Sequence, residues 1–272
     1  MPRVIVVVLC LCLAACVSSK KPEVLNPVAA SAPGARAIDV HVATTRVPEP
    51  NGYFSDRRGQ HLSFQYVKIS IPPDHTPGQI EWQTGEFGDP GKNFVTLDNR
   101  VLAEQQFLRN LEARLPASGE VMVFVHGYNT NHEEAIFRLA QMAADGDTKI
   151  AAIAFTWPSR GVVKDYVTDR ESSTAARGHL IDFLTMLSRS PKIKAINLFA
   201  HSMGAMLTTD ALMLAKLRGN GEFGGKLDTV VLASPDIDVD VFLAQFDIIG
   251  RRPRQTVILI SRDDRALKVS SR

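Results

Sequence analysis

Beyond residue 119 the chain alternates between two hydrophobic rhythms. Short, near-continuous apolar runs are followed by longer segments whose apolar residues recur at three- and four-residue spacing. The runs predict strands at 120–125, 149–155, 194–199, 227–232 and 255–260. The spaced segments predict helices at 131–144, 171–188, 203–217 and 239–246. Asn131 or Thr130 is placed to cap the first of these helices, with Glu133 and Glu134 in its first turn, where negative charge suits the helix dipole. Strands that are apolar throughout, each followed by a helix, indicate an α/β fold with a mostly parallel sheet covered on both faces. Before residue 119 the pattern differs. Residues 37–45 and 62–71 alternate apolar with polar and have no helix between them, so the sheet is expected to start antiparallel. The polar stretch 46–60, with its Pro, Asn-Gly and Arg-Gly, reads as a loop, 94–97 as a short edge strand, and 98–114 as a helix.

The first 36 residues stand outside this rhythm. Arg3 is followed by an apolar run over 4–13, too short to span a bilayer as a mature helix. The run ends in Leu13-Ala14-Ala15-Cys16, which resembles the bacterial lipobox. That resemblance implies a signal peptide over 1–15 and acylation (palmitate-type) at Cys16, with stable membrane anchoring through several acyl chains. By the same resemblance to bacterial lipoproteins, Val17 in place of Asp implies the outer membrane of a bacterial cell envelope. Residues 16–36 carry the lipidated Cys and a Ser-, Ala- and Pro-rich flexible tether, leaving 37–272 as the folded domain.

Composition narrows the functional classes. At 272 residues, 45% hydrophobic and 22% charged, the chain can bury one large core. A net charge of +2, 7% aromatic content and no basic cluster interleaved with aromatics give no reason to expect nucleic acid. The three cysteines are Cys10, Cys12 and Cys16, so the domain has neither a disulfide nor a cysteine metal site. No His-Glu-x-x-His or paired-ligand spacing suggests a metal, and no motif calls for a cofactor.

The chemistry is carried by residues just past the predicted strand ends, where open parallel sheets place their sites. After the 194–199 strand comes Ala200-His201-Ser202-Met203-Gly204, then a helix. Strand, small-x-Ser-x-Gly and helix together form the nucleophile elbow of an α/β-hydrolase fold, here with Ala in the first small position. Ser202 is the candidate nucleophile. Two strands earlier, His126-Gly127-Tyr128-Asn129 follows residue 125, and such a turn offers the backbone N–H of Tyr128 to an oxyanion. The N–H of Met203 is the second donor. Trp157 and Pro158 follow the 149–155 strand and either line the substrate pocket or pack; Asn129, Ser159 and Tyr166 are further pocket candidates. The triad acid is sought after the last two strands. Asp264 is preferred, with Asp263 and Asp236 as alternatives; Asp236 has a second possible use as a helix cap. The seven histidines (His41, His61, His75, His126, His132, His179 and His201) all precede Asp236, so none stands in the triad order Ser, Asp, His.

As an ordered set, Ala43–Arg46, Val67–Pro72, Val123–Asn129, Phe155–Ser159, Ala200–Gly204, Ala233–Asp238 and Ser261–Leu267 resemble a family of bacterial α/β-hydrolase-fold proteins of esterase/lipase type and unknown function. The resemblance covers about residues 38–272. It implies a serine hydrolase acting on a small-molecule or lipid ester, with Ser202 as nucleophile, Asp264 as acid and the Tyr128 turn as oxyanion hole. Members of that family continue into a further segment bearing the catalytic histidine, so a C-terminally truncated chain, catalytically impaired or purely binding, is the competing expectation.

Overall fold

A computed structural model describes residues 22–260 except 86, 147, 148, 251 and 252. The expected signal segment, Cys16, Asp263 and Asp264 lie outside the described residues. The strands are β1 (Arg36–Pro48), β2 (Phe54–Ile71), β3 (Val95–Leu102), β4 (Glu120–Val125), β5 (Ala151–Thr156), β6 (Ala195–His201), β7 (Leu227–Ala233) and β8 (Gln255–Leu259). The helices are α1 (Glu104–Glu112), α2 (His132–Asp145), α3 (Tyr166–Arg189), α4 (Met203–Leu217) and α5 (Val239–Ile249). All eight strands join one sheet in the order β3-β2-β1-β5-β4-β6-β7-β8. The β1–β2 and β2–β3 pairs are antiparallel, while β1–β5 and every pair from β5 to β8 are parallel. The antiparallel start and parallel remainder follow the sequence reading.

Helices cover both faces. On one, α1, α3 and α4 bury Phe107, Leu180, Phe183, Leu207 and Ala211 against Val123, Ile153, Phe155, Ile196 and Leu198. On the other, α2 lays Ile136, Phe137 and Ala140 over Val40, Val67, Phe124 and Ala154. Asn131 is the α2 cap: its side chain accepts the Glu134 N–H while Glu134 returns a bond to the Asn131 N–H.

Three local expectations are corrected. The 46–60 loop is a hairpin. Its turn is confined to Pro50–Gly52, and β1 and β2 extend outward through the pairs Arg46↔Arg58 and Pro48↔Phe54, with bulges. The sequence there is polar because the ribbon projects past the main sheet, where Arg58 bonds Ser172 and the Thr168 carbonyl of α3. The 98–114 helix begins only at residue 104, since 95–102 alternates and completes a ladder with β2. Finally, the N-terminal tether is partly docked. Leu25 is fully buried, and the Val24 and Leu25 carbonyls accept bonds from Thr96 and Asn99 of β3. Two adjacent apolar side chains suffice to hold this segment on the α2 face.

Candidate active site

β6 delivers Ser202 to the point where the strand turns into α4. Its backbone sits at φ 50° and ψ −122°, a region that costs a non-glycine residue of order 1–3 kcal/mol. Three backbone bonds hold it there. The Ser202 N–H donates to the Ala233 carbonyl at 2.9 Å, and the Ser202 carbonyl accepts from Ala205 at 2.9 Å and Asp236 at 3.3 Å. The small residues around it have distinct reasons. A Cβ on Gly204 would lie 2.3 Å from the His126 carbonyl oxygen and 2.5 Å from that of Val125. A Cβ on Gly127 would lie 2.7 Å from His201 Nδ1 and 3.0 Å from Ser202 Cβ. The two glycines therefore let the β4 turn and the elbow touch. Met203 is the first helical residue of α4, a position whose N–H has no carbonyl partner within the helix.

The β4 turn rests on a buried polar network. Asn129 adopts φ 57°, and its N–H bonds the Asp169 carboxylate of α3. Asp169 also accepts the Ser159 hydroxyl at 2.6 Å and the Arg160 N–H at 3.0 Å, while Ser159 accepts the Thr130 N–H at 3.2 Å. Burial holds the Asp169 carboxyl above its ordinary pKa. Arg46, on the outer half of β1, adds bonds to the carbonyls of Ser159 (2.9 Å), Ser55 (3.3 Å) and Thr130 (3.4 Å). Its guanidinium is buried, which lowers its pKa to about 10, and the carboxylates of Glu133 and Asp169 act in the opposite sense. Glu133 is itself buried and pushed up to about 7. The sequence reading missed this network. One signal for it existed: Asp169, Ser172, Ala176 and Leu180 share one helical face, and that face is the buried one.

Of the pocket candidates, Ser159 and Trp157 are internal, with no exposed surface. Trp157 stacks on His126 with ring centroids 5.0 Å apart and planes 7° apart. It donates Nε1–H to the His126 carbonyl at 2.8 Å, and His126 Nε2 lies 3.1 Å from the Trp157 carbonyl. The pair clamps the ends of β4 and β5, so of its two possible roles Trp157 takes packing. Burial, with Arg46 adding to it, lowers the His126 pKa to about 3, leaving a neutral ring. Asn129 spends its backbone on the network. Tyr128 and Tyr166 meet edge to face at 5.2 Å, and the Tyr166 hydroxyl donates to Asp236 at 2.8 Å. These contacts trace an arc from the oxyanion turn to the residue whose N–H bonds the Ser202 carbonyl.

Asp236 does not cap α5; Asp238 does, accepting from Asp240 and Val241. The end of β8 is level with the elbow's neighbour, through the pair Ala233↔Leu259 and a Ser234-to-Leu259 bond of 2.7 Å. Asp263 and Asp264 follow just beyond, outside the described residues. Among the described residues no hydrogen bond joins a histidine ring to Ser202. His41 bonds Asn110, His75 bridges Glu81 and Asp145, His132 bonds Thr156 and Gln65, and His179 bonds the Gln60 carbonyl. His61 is exposed on β2. His201 sets Nδ1 against Gly127. Among the described residues no cluster of three or more His, Cys, Asp or Glu side chains is arranged to hold a metal ion.

No curated protein matches the chain. A solved structure described as brefeldin A esterase, a bacterial homologue of human hormone sensitive lipase, aligns at 14% identity with a TM-score of 0.33. The alignment covers 82% of this chain and 49% of that one, so the chain spans about half that enzyme's length. The family described as alpha/beta hydrolase of unknown function (DUF900) matches residues 103–272, well over half of the chain and every element from α1 to β8. This chain belongs to that α/β-hydrolase family.

Proposed function

We propose that this protein is a serine hydrolase that cleaves a small-molecule or lipid ester through an acyl-enzyme, held at the bacterial envelope by acylated Cys16. The observation that carries the reading is the strained Ser202 at φ 50°, fixed between a helix N-terminus and a glycine turn. A backbone cost of this kind persists where the surroundings impose it, and such strain clusters at functional sites. In the proposed reaction Ser202 Oγ attacks the ester carbonyl, and the proton it loses passes to the departing alkoxide oxygen. The N–H groups of Tyr128 and Met203 hold the resulting oxyanion, and the alcohol leaves with a proton. Water then attacks the acyl-enzyme, releasing the acid and restoring the hydroxyl. Asp264 is the carboxylate proposed as the acid of the triad. Tyr128 and Tyr166 offer the substrate an aromatic wall, with the Asp236–Tyr166 bond fixing its far end.

A second reading, a non-catalytic envelope protein that keeps the hydrolase fold, draws support from the lack of a histidine bonded to Ser202 among the described residues. A fluorophosphonate probe separates the two. The enzyme reading expects covalent labelling that Ser202→Ala abolishes, together with turnover of short-chain esters. Loss of both in the folded wild-type chain favours the second reading.

A further inference from the structure

A large groove lies on the outer side of α3, and Ser202 is not among the residues that line it. It is an open groove of about 810 Å³ between α3, the end of α4 and the β1–β2 ribbon. Four arginines line it, Arg58, Arg170, Arg177 and Arg218, along with apolar Val167 and Leu214. Arg58 is already engaged, 3.2 Å from Glu171 and bonded to Ser172. The other three guanidinium groups have no ion pair or hydrogen bond among the described residues. Asp210 on α4 acts electrostatically on Arg170 and Arg177 and also accepts a bond from the Gln245 amide at 2.6 Å. Four arginines thus share the groove with the Glu171 carboxylate and the neighbouring Asp210, an excess of positive charge that attracts an anion. Guanidinium forks suit phosphate oxygens, which they bind in pairs. The lining has an exposed apolar residue as well: Val167 is 71% exposed.

We propose that this groove docks the headgroups of anionic phospholipids. Arg170, Arg177 and Arg218 take the phosphates, and the exposed Val167 faces the acyl boundary. Positive charge beside an exposed aliphatic side chain is the composition of a membrane-surface patch. No aromatic side chain lines the groove to stack a base, which argues against single-stranded nucleic acid. Val167 follows Tyr166 directly, so a lipid seated there lies one residue from the aromatic wall of the Ser202 site. The inference does not depend on catalysis.

The test uses the full chain and two kinds of vesicle, pure phosphatidylcholine and an equal mixture of phosphatidylcholine with phosphatidylglycerol. Any acyl anchor contributes to both, so the ratio of the two affinities reports the headgroup alone. A juxtamembrane arginine contributes about a fivefold preference for anionic membrane. Arg170→Gln, Arg177→Gln and Arg218→Gln should each reduce the ratio by about that factor, and the triple variant should abolish it, with melting temperature unchanged. Two results would overturn the proposal. One is a ratio that the triple variant leaves intact. The other is no vesicle preference together with tight binding of free glycerol phosphate, which would make the groove a soluble-ligand site.

Discussion

Ser159 donates its hydroxyl to the Asp169 carboxylate across 2.6 Å, and neither side chain has exposed surface. The pair ties the turn after β5 to α3, and through Asn129 and Thr130 it also holds the turn after β4. Asp169→Ala leaves three donors without their acceptor, the buried Ser159 hydroxyl and the N–H groups of Arg160 and Asn129, which lie nearer solvent. The buried hydroxyl alone costs about 1–3 kcal/mol, so urea unfolding should show a loss of at least about 1 kcal/mol with an unchanged denaturant slope. Asp169→Asn keeps one carbonyl acceptor and should lose less. In a refolded Asp169→Asn sample, fluorophosphonate labelling should slow, because the Tyr128 N–H is no longer held in place. Wild-type stability in Asp169→Ala would show that the network carries no energy.

The two glycines at the elbow should fail in different ways. Gly204→Ala sets a methyl against two backbone carbonyls, at 2.3 and 2.5 Å, and neither can swing aside. Overpacking of this kind costs about 1–3 kcal/mol, so the melting temperature should fall. Gly127→Ala meets mainly the His201 ring, at 2.7 Å, which is a side chain and can rotate. Its stability cost should be smaller, while displacement of the Ser202 Cβ contact lowers labelling. Equal melting temperatures for the two variants would contradict this division.

The parallel half of the fold was legible because its signals are local. Asn131 and Glu134 are three residues apart, and the small-x-Ser-x-Gly motif is contiguous. The outer ribbon was not legible, since Arg46 and Arg58 sit on strand ends where polar residues are tolerated and composition resembles a loop. The network beneath the site was hidden for another reason. Its bonds join residues far apart in the chain, as Arg46 to Ser159 does across 113 positions, and no periodicity encodes such a pair. Trp157 was left open between wall and core because the sequence shows that it is bulky, whereas only the fold shows His126 beneath its face.

Glu133 makes stability depend on pH in a distinctive direction. Burial raises its pKa from 4.5 to about 7, so the native state binds its proton more tightly than the unfolded chain does. The stability this group lends is full below 4.5 and is lost as pH rises to about 7. His41 and His126 act oppositely. Burial lowers them from 6.5 to about 4 and about 3, so their contribution is full above 6.5 and is lost as pH falls. Glu133→Gln mimics the protonated carboxyl. It should be more stable than wild type near pH 8 by up to about 3 kcal/mol, and the advantage should shrink to nothing by about pH 4.5. Urea titrations across that range decide the matter: a difference that does not vary with pH would exclude Glu133 as the group responsible.

The strain at Ser202 offers the sharpest separation of fold from function. Alanine at this position keeps a Cβ and therefore keeps the strained φ of 50°, so Ser202→Ala should alter stability little. Glycine relieves the strain, worth about 1–3 kcal/mol, and gives back about 0.5–1 kcal/mol through the greater freedom of the unfolded chain. Ser202→Gly should therefore be the more stable of the two by about 1 kcal/mol, although both lose the hydroxyl and neither accepts a fluorophosphonate. The Ala233 and Asp236 backbone bonds that hold the turn are common to both variants and cancel in the comparison. If the glycine variant is instead less stable than the alanine variant, the elbow is not strained in solution, and strain at Ser202 no longer supports its assignment as the nucleophile. If it is more stable while labelling is lost in both, the chain retains a destabilising backbone conformation at the residue proposed as nucleophile.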